Sequence, residues 1–111
     1  MRKVVYNSTF GGYALTQEAV LLGRKLSNNP NWGELVLKGE KYPNGTINEW
    51  ADEVFPDDNI LPRHDPILVQ VVETLGKVGD LAITEVKHKY RIHEYDGAET
   101  VIEPEDDVYI D

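Results

Sequence analysis

Three short stretches hold residues able to do chemistry. Asn7-Ser8-Thr9-Phe10-Gly11-Gly12-Tyr13 follows the apolar run Val4-Val5-Tyr6 and precedes a helix start at Thr16. Adjacent glycines let the backbone take positive φ and come close to a ligand, and the N–H groups that open the next helix favour phosphate or carboxylate. Phe10 and Tyr13 add rings that would stack on a base or pack within the turn. Arg63-His64-Asp65-Pro66 sets a guanidinium and an imidazole before a second helix start, where they would join free N–H groups around an anion. The same residues also read structurally, with Asp65 as helix cap and Arg63 in a salt bridge. Lys87-His88-Lys89 with Arg91 and His93 is the most basic short stretch. Lys89, Arg91 and His93 would share one strand face, as a phosphate-binding surface or as the wet face of an edge strand. The candidate ligand-binding set is Asn7, Phe10, Gly11, Gly12, Tyr13, Arg63, His64 and Arg91.

No complete catalytic pattern accompanies these residues. The glycine loop lacks the lysine and hydroxyl of a Walker motif and the three-glycine spacing of a dinucleotide fingerprint, and no nucleophile elbow occurs. The absence of cysteine excludes disulfides, thiolate catalysis and Cys-ligated zinc, and fits a reducing compartment. His64, His88 and His93 are not spaced as on a zinc helix, although His88 and His93 would meet around a turn. His64 with Asp65 would suit acid/base work, but neighbours on a cap usually point apart. The expectation is no catalytic residue, no metal and no cofactor.

The elements that position these stretches follow from periodicity and caps. Thr16 caps a first helix running to Ser27, with Leu15 and Val20 as a hydrophobic staple and Ala19, Val20, Leu22 and Leu26 on its buried face. Asp65 caps a second, Pro66 occupies its first turn, Gly76 ends it, and Ile67, Leu68, Val71, Val72 and Leu75 form its stripe. After Gly76 the period falls to two: Leu81 to Val86, Tyr90 to Glu94 and Ala98 to Ile102 read as an antiparallel meander with Asp96-Gly97 as a hairpin turn. Residues 28–62 read as an irregular surface insert, with a short helix from Ile47 to Val54 capped by Thr46. At 111 residues the chain is one domain, 1–111, of class α+β: a mainly antiparallel sheet, made of the N-terminal strand and the meander, packed on two helices.

The net charge of −9 is concentrated at one end: Glu94 to Asp111 holds eight acids and no base, leaving the first 93 residues at −1. The tail, about 103–111, repels nucleic acid, so direct DNA or RNA binding is not expected; it aids solubility or serves as a lure for a basic partner. Met1-Arg2-Lys3 and two valines lack the apolar core of a signal peptide, and no run reaches membrane-spanning length. A soluble cytoplasmic protein with no membrane partner is expected.

Val5-Tyr6-Asn7 with Phe10-Gly11-Gly12-Tyr13-Ala14-Leu15-Thr16, then Arg63-His64-Asp65-Pro66-Ile67-Leu68-Val69 with Val72-Glu73 and Leu75-Gly76, then Tyr90-Arg91-Ile92 with Glu94-Tyr95-Asp96-Gly97-Ala98-Glu99, form three blocks. Together they resemble a family of small, mostly unannotated bacteriophage proteins. That resemblance implies a phage-encoded protein expressed inside a bacterium; this context and the anion-ready elements together point to anti-defence work, a non-catalytic protein that sequesters a small anionic, nucleotide-derived ligand such as a host immune signal, expected in a homo-oligomer. Gly11 and Gly12 would give close approach, Phe10 or Tyr13 would stack, and Arg63 with His64 would neutralise phosphate. A protein-binding inhibitor is the alternative, its acidic surface and Val108, Tyr109 and Ile110 covering a basic host partner. Third comes an enzyme degrading a nucleotide signal through His64 or His93.

Overall fold

The fold was analysed in a computed structural model, which describes residues 1–49 and 52–104. The chain builds an α+β domain of two helices and short antiparallel strands. Strand β1 (Arg2–Asn7) leads through the glycine loop to β2 (Leu15–Thr16) and helix α1 (Gln17–Ser27). The Thr16 hydroxyl accepts the Ala19 N–H at 3.1 Å, and Asn28, in the left-handed conformation, closes the other end. Leu15 and Val20 are both fully buried, as the staple requires. The buried face is centred one turn away from Leu26: Ala19, Val20 and Gly23 are buried, while Leu22 and Leu26 are only partly covered. Trp32 sets this register. Its ring lies so close to Gly23 that a Cβ there would stand 2.2 Å from it.

Helix α2 (Pro66–Leu75) starts and stops where its sequence dictates. One Asp65 carboxylate oxygen accepts the N–H groups of Ile67 and Leu68 at 2.9 and 3.0 Å. Gly76, at φ 74°, donates to the Val72 carbonyl. Leu68, Val71 and Val72 pack with Val5, Leu15 and Val20 into the core between the helices and one face of β1.

The C-terminal strands do not form one meander. β4 (Leu81–Val86) crosses back to pair antiparallel with β1, from Arg2↔Val86 to Asn7↔Leu81. β5 (Arg91–Tyr95) and β6 (Ala98–Ile102) make a separate hairpin. A third short ladder joins β2 to β3 (Glu53–Val54), so the described residues hold three two-stranded sheets where one was expected. On β1 and β4, Tyr6 and Thr84 point away from the helices and line a shallow cleft with Glu99, Thr100 and Val101 of β6. The hairpin therefore lies along β1 without extending its ladder. Asp96 at φ 55° and Gly97 at φ 89° give the Asp-Gly turn its two left-handed residues.

Residues 28–62 are more than a surface excursion, because Trp32, Leu35, Leu37, Val54 and Leu61 all enter the core. None of the described residues of the expected helix from Ile47 to Val54 is helical. Lys41 bridges Ile47 around a turn in which Tyr42 N–H donates to Thr46, Asn48 is buried, and Glu53–Val54 is strand. Thr46 serves that turn rather than capping a helix. Arg24 on α1 holds the segment in place, with two nitrogens on the Glu40 carboxylate at 2.8 Å and one on the Leu35 carbonyl at 2.8 Å. Residues 105–111, most of the acidic tail with Val108, Tyr109 and Ile110, lie outside the described residues. No helix among the described residues is long and apolar enough to cross a membrane.

Candidate functional site

The loop after β1, the turn before α2 and the β5–β6 hairpin converge on Arg63, which is only 6% exposed. Its guanidinium meets the Glu99 carboxylate in a two-pronged pair at 2.6 and 2.7 Å, and its Nε donates to Asp58 at 2.7 Å. The ring of Tyr13 lies 3.5 Å from the guanidinium carbon, a stacked cation–π contact. Burial alone would favour loss of the Arg63 proton, but the Glu99 and Asp58 carboxylates outweigh it and hold the guanidinium firmly charged. Burial likewise pushes the Tyr13 hydroxyl well above its ordinary range, against the pull of Arg63.

Glu99 also reaches β1. It accepts the backbone N–H of Asn7 at 2.8 Å, at the edge of β1 that β4 leaves open, while Val5 N–H on the same edge donates to the Arg63 carbonyl. A carboxylate here does the work of a neighbouring strand. The Asn7 side chain, buried, donates to the carbonyls of Thr9 and Gly97, both at 2.7 Å, and so ties the glycine loop to the hairpin turn. Gly97 packs directly on that loop: a Cβ there would stand 2.7 Å from the Gly12 nitrogen and 2.8 Å from that of Gly11.

These contacts revise the roles expected of Arg63, Gly11, Gly12, Tyr13, Asn7 and the start of α2. Arg63 is neutralised by two carboxylates and is not free to grip a phosphate. Gly11 and Gly12 do take positive φ, 131° and 86°, and Gly97 of the hairpin turn packs against their backbone nitrogens. Tyr13 has one ring face under Arg63, and Asn7 is turned into the protein. The N–H groups opening α2 are consumed by Asp65, so this helix end is not an open anion site either. Phe10 projects into solvent, 66% exposed. Lys89 precedes β5, so the shared strand face expected of Lys89, Arg91 and His93 reduces to Arg91 and His93.

Two members of the set come together elsewhere. His64 and Arg91 line an open cleft of about 440 Å³ with Asp58, Pro62, the outer edge of Arg63, Tyr90 and Ile92. The His64 Nδ1 and the Tyr90 hydroxyl lie 2.7 Å apart, with the rings edge to face. Burial and the charge of Arg2 hold the His64 imidazole below its usual proton affinity, and burial raises that of the Tyr90 hydroxyl. Both are thus neutral near pH 7, and the Tyr90 hydroxyl donates to Nδ1 in the tautomer with the proton on Nε2 and accepts from it in the other. The cleft therefore offers the Arg91 guanidinium, a neutral imidazole and a phenol ring, with Arg2 close enough to act on both rings electrostatically.

Glu99, Asp58, Tyr90 and Gly97 are the residues that sequence reasoning did not place here. Glu99 carried a signal: it shares a strand face with Val101, and an acid on an otherwise apolar face needs a partner. No group of three or more His, Asp or Glu side chains among the described residues is placed to hold a metal ion. Comparison with protein families, with curated proteins and with solved structures gives no match to this chain.

Proposed function

We propose that the protein is a non-catalytic binding protein that sequesters a small anionic, nucleotide-derived ligand, and that the cleft between the turn before α2 and the start of β5 receives it. One observation carries this assignment: Arg91 and His64, from separate elements, line one cleft beside Tyr90. Arg91 takes the phosphate, His64 Nε2 donates to it, and Tyr90 offers the ring against which a base rests, a part first assigned to Phe10 or Tyr13. Arg63 acts from behind as the post that fixes the wall. Arg63 with Asp58 and Glu99 sums to −1, and Asp58 also lines the cleft, so the positive charge that holds the ligand against it comes from Arg91 and Arg2. The likeness of the three sequence blocks to small bacteriophage proteins supports an anti-defence role in the cytoplasm of an infected bacterium, with a host immune nucleotide as the ligand class.

The test is titration calorimetry with a panel of linear and cyclic nucleotides and inorganic phosphate, on the wild type and on Arg91→Ala and His64→Ala. Binding of a nucleotide that Arg91→Ala weakens at least tenfold and His64→Ala severalfold is expected. A nucleotide bound equally well by all three proteins would overturn the site, and hydrolysis of the bound nucleotide would overturn the non-catalytic assignment.

A further inference from the structure

The cleft proposed for the nucleotide carries charge of both signs. Arg91 and Asp58 line it together, and no ion pair joins them among the described residues. Of the two carboxylates on Arg63, Glu99 is turned inward, its side chain 6% exposed, with both oxygens on the guanidinium and one of them also on the Asn7 N–H. Asp58 is open, its side chain 54% exposed. Its Oδ1 accepts from Arg63 Nε at 2.7 Å, and no hydrogen bond among the described residues uses its Oδ2. The surplus negative charge of this trio therefore meets the cleft at Asp58. A carboxylate free to swing would turn away from an incoming phosphate, but this one is held. Buried Arg63 fixes one oxygen, and the turn under Asp58 is closed: the Asp57 carbonyl accepts the N–H groups of Ile60 and Leu61, and its side chain accepts that of Asn59.

A nucleotide lying here has to satisfy a group that accepts hydrogen bonds and, when ionised, donates none. Burial raises the proton affinity of the Tyr90 hydroxyl and the charge of Asp58 adds to it, which places this carboxylate beside the ring against which the base rests. The base edge is then what it meets. Guanine presents two adjacent N–H donors, the ring N1–H and the N2 amine, which match the two oxygens of a carboxylate. Adenine and cytosine set a ring-nitrogen acceptor beside their amine, and uracil flanks its N–H with two carbonyls, so each turns a lone pair on the carboxylate. Oδ1 keeps a lone pair after serving Arg63. We propose that Asp58 makes the cleft selective for a guanine nucleotide, its carboxylate accepting from N1–H and the N2 amine while Arg91 holds the phosphate; this rests on the nucleotide reading of the cleft and names the base. The ribose diol is the other donor pair that a nucleotide owns, and a deoxy ligand separates the two.

Titration calorimetry with the monophosphates of guanosine, inosine, adenosine and deoxyguanosine tests this on the wild type, Asp58→Asn and Arg91→Ala. Guanosine monophosphate is expected to bind the wild type at least tenfold more tightly than the adenosine compound, with inosine, which lacks the N2 amine, between them and deoxyguanosine equal to guanosine. Asp58→Asn keeps an acceptor for Arg63 Nε but sets a donor beside it, so the preference for guanine should vanish. Arg91→Ala should weaken all four ligands by a similar factor and keep their order. The wild-type series stands without any variant. Equal affinity for guanosine and adenosine compounds would overturn the assignment, as would a guanine preference that survives Asp58→Asn or a loss of binding confined to the deoxy ligand. Binding that Arg91→Ala weakens but that ignores the base would overturn the role of Asp58 and leave the nucleotide reading standing, whereas no binding of any of the four would overturn both.

Discussion

Arg63 concentrates most of what single residues decide in this molecule. A buried guanidinium with two carboxylates gains specificity more than stability, yet removing one partner strands the other. Glu99→Ala leaves Arg63 with Asp58 alone and the Asn7 N–H without its acceptor. A loss of about 3–5 kcal/mol is expected in urea unfolding, whereas Asp58→Ala, removing a partly exposed partner, should cost clearly less. Equal costs would show that the two-pronged pair is not the stronger tie. His64 gives a second expectation at this scale. Its proton affinity is held down by burial and by Arg2, so lowering the pH toward that depressed value charges the imidazole. Anion affinity should therefore rise as the pH falls below neutrality, and calorimetry on His64→Ala should find that rise gone. The salt bridge of Arg63 was one of two readings open in the sequence; its partner was not legible, because Glu99 sits 36 residues away in a strand whose docking no local pattern specifies.

At the scale of elements, both helices were legible to the residue, since Thr16, Asn28, Asp65, Pro66 and Gly76 act locally through caps that sequence alone supplies. The β5–β6 hairpin was legible too, through Asp96-Gly97, but the partner of β4 was not. β4 belongs to β1 and the hairpin stands apart, a choice made by long-range contacts at Asn7, Glu99 and Gly97. Gly97→Ala tests that choice, because its Cβ would collide with the glycine loop and the residue sits at positive φ. The expected result in hydrogen exchange is loss of protection at the Asn7 amide, which relies on Glu99, with protection kept along the β1–β4 ladder; uniform loss would mean that the hairpin and the ladder open as one. Residues 31–40 offer an acid-sensitive element. Hydrogen bonding to Arg24, aided by the Leu37 N–H, lowers the Glu40 pKa to about 2. Because the folded value lies below the unfolded one, this contribution is complete above the ordinary carboxylate range and fades as the pH falls toward about 2. Glu40 is partly exposed, so the effect is modest, but Glu40→Gln should flatten the stability profile in that window.

Across the whole molecule, one core holds together because residues from the 28–62 stretch complete it, and Gly23 has the least room of the described glycines, against Trp32. Gly23→Ala would improve helix propensity by up to about 1 kcal/mol, yet overpacking costs about 1–3 kcal/mol, so net destabilisation and a shift in tryptophan emission are expected. The α+β class was legible from periodicity; the core role of Trp32, Leu35 and Leu61 was not, since they lie in a stretch with no repeating pattern. On the proposed function, the assembled surface keeps one small anion in the cleft lined by His64, Tyr90 and Arg91. The most direct measurement incubates the protein with extract of bacteria whose nucleotide-based immune signalling has been triggered, then re-isolates it, heat-denatures it and identifies the released molecules by mass spectrometry. An intact nucleotide, near one per site from the wild type and lost from Arg91→Ala, is the predicted result. No nucleotide from the wild type, or the same amount from Arg91→Ala, would contradict it.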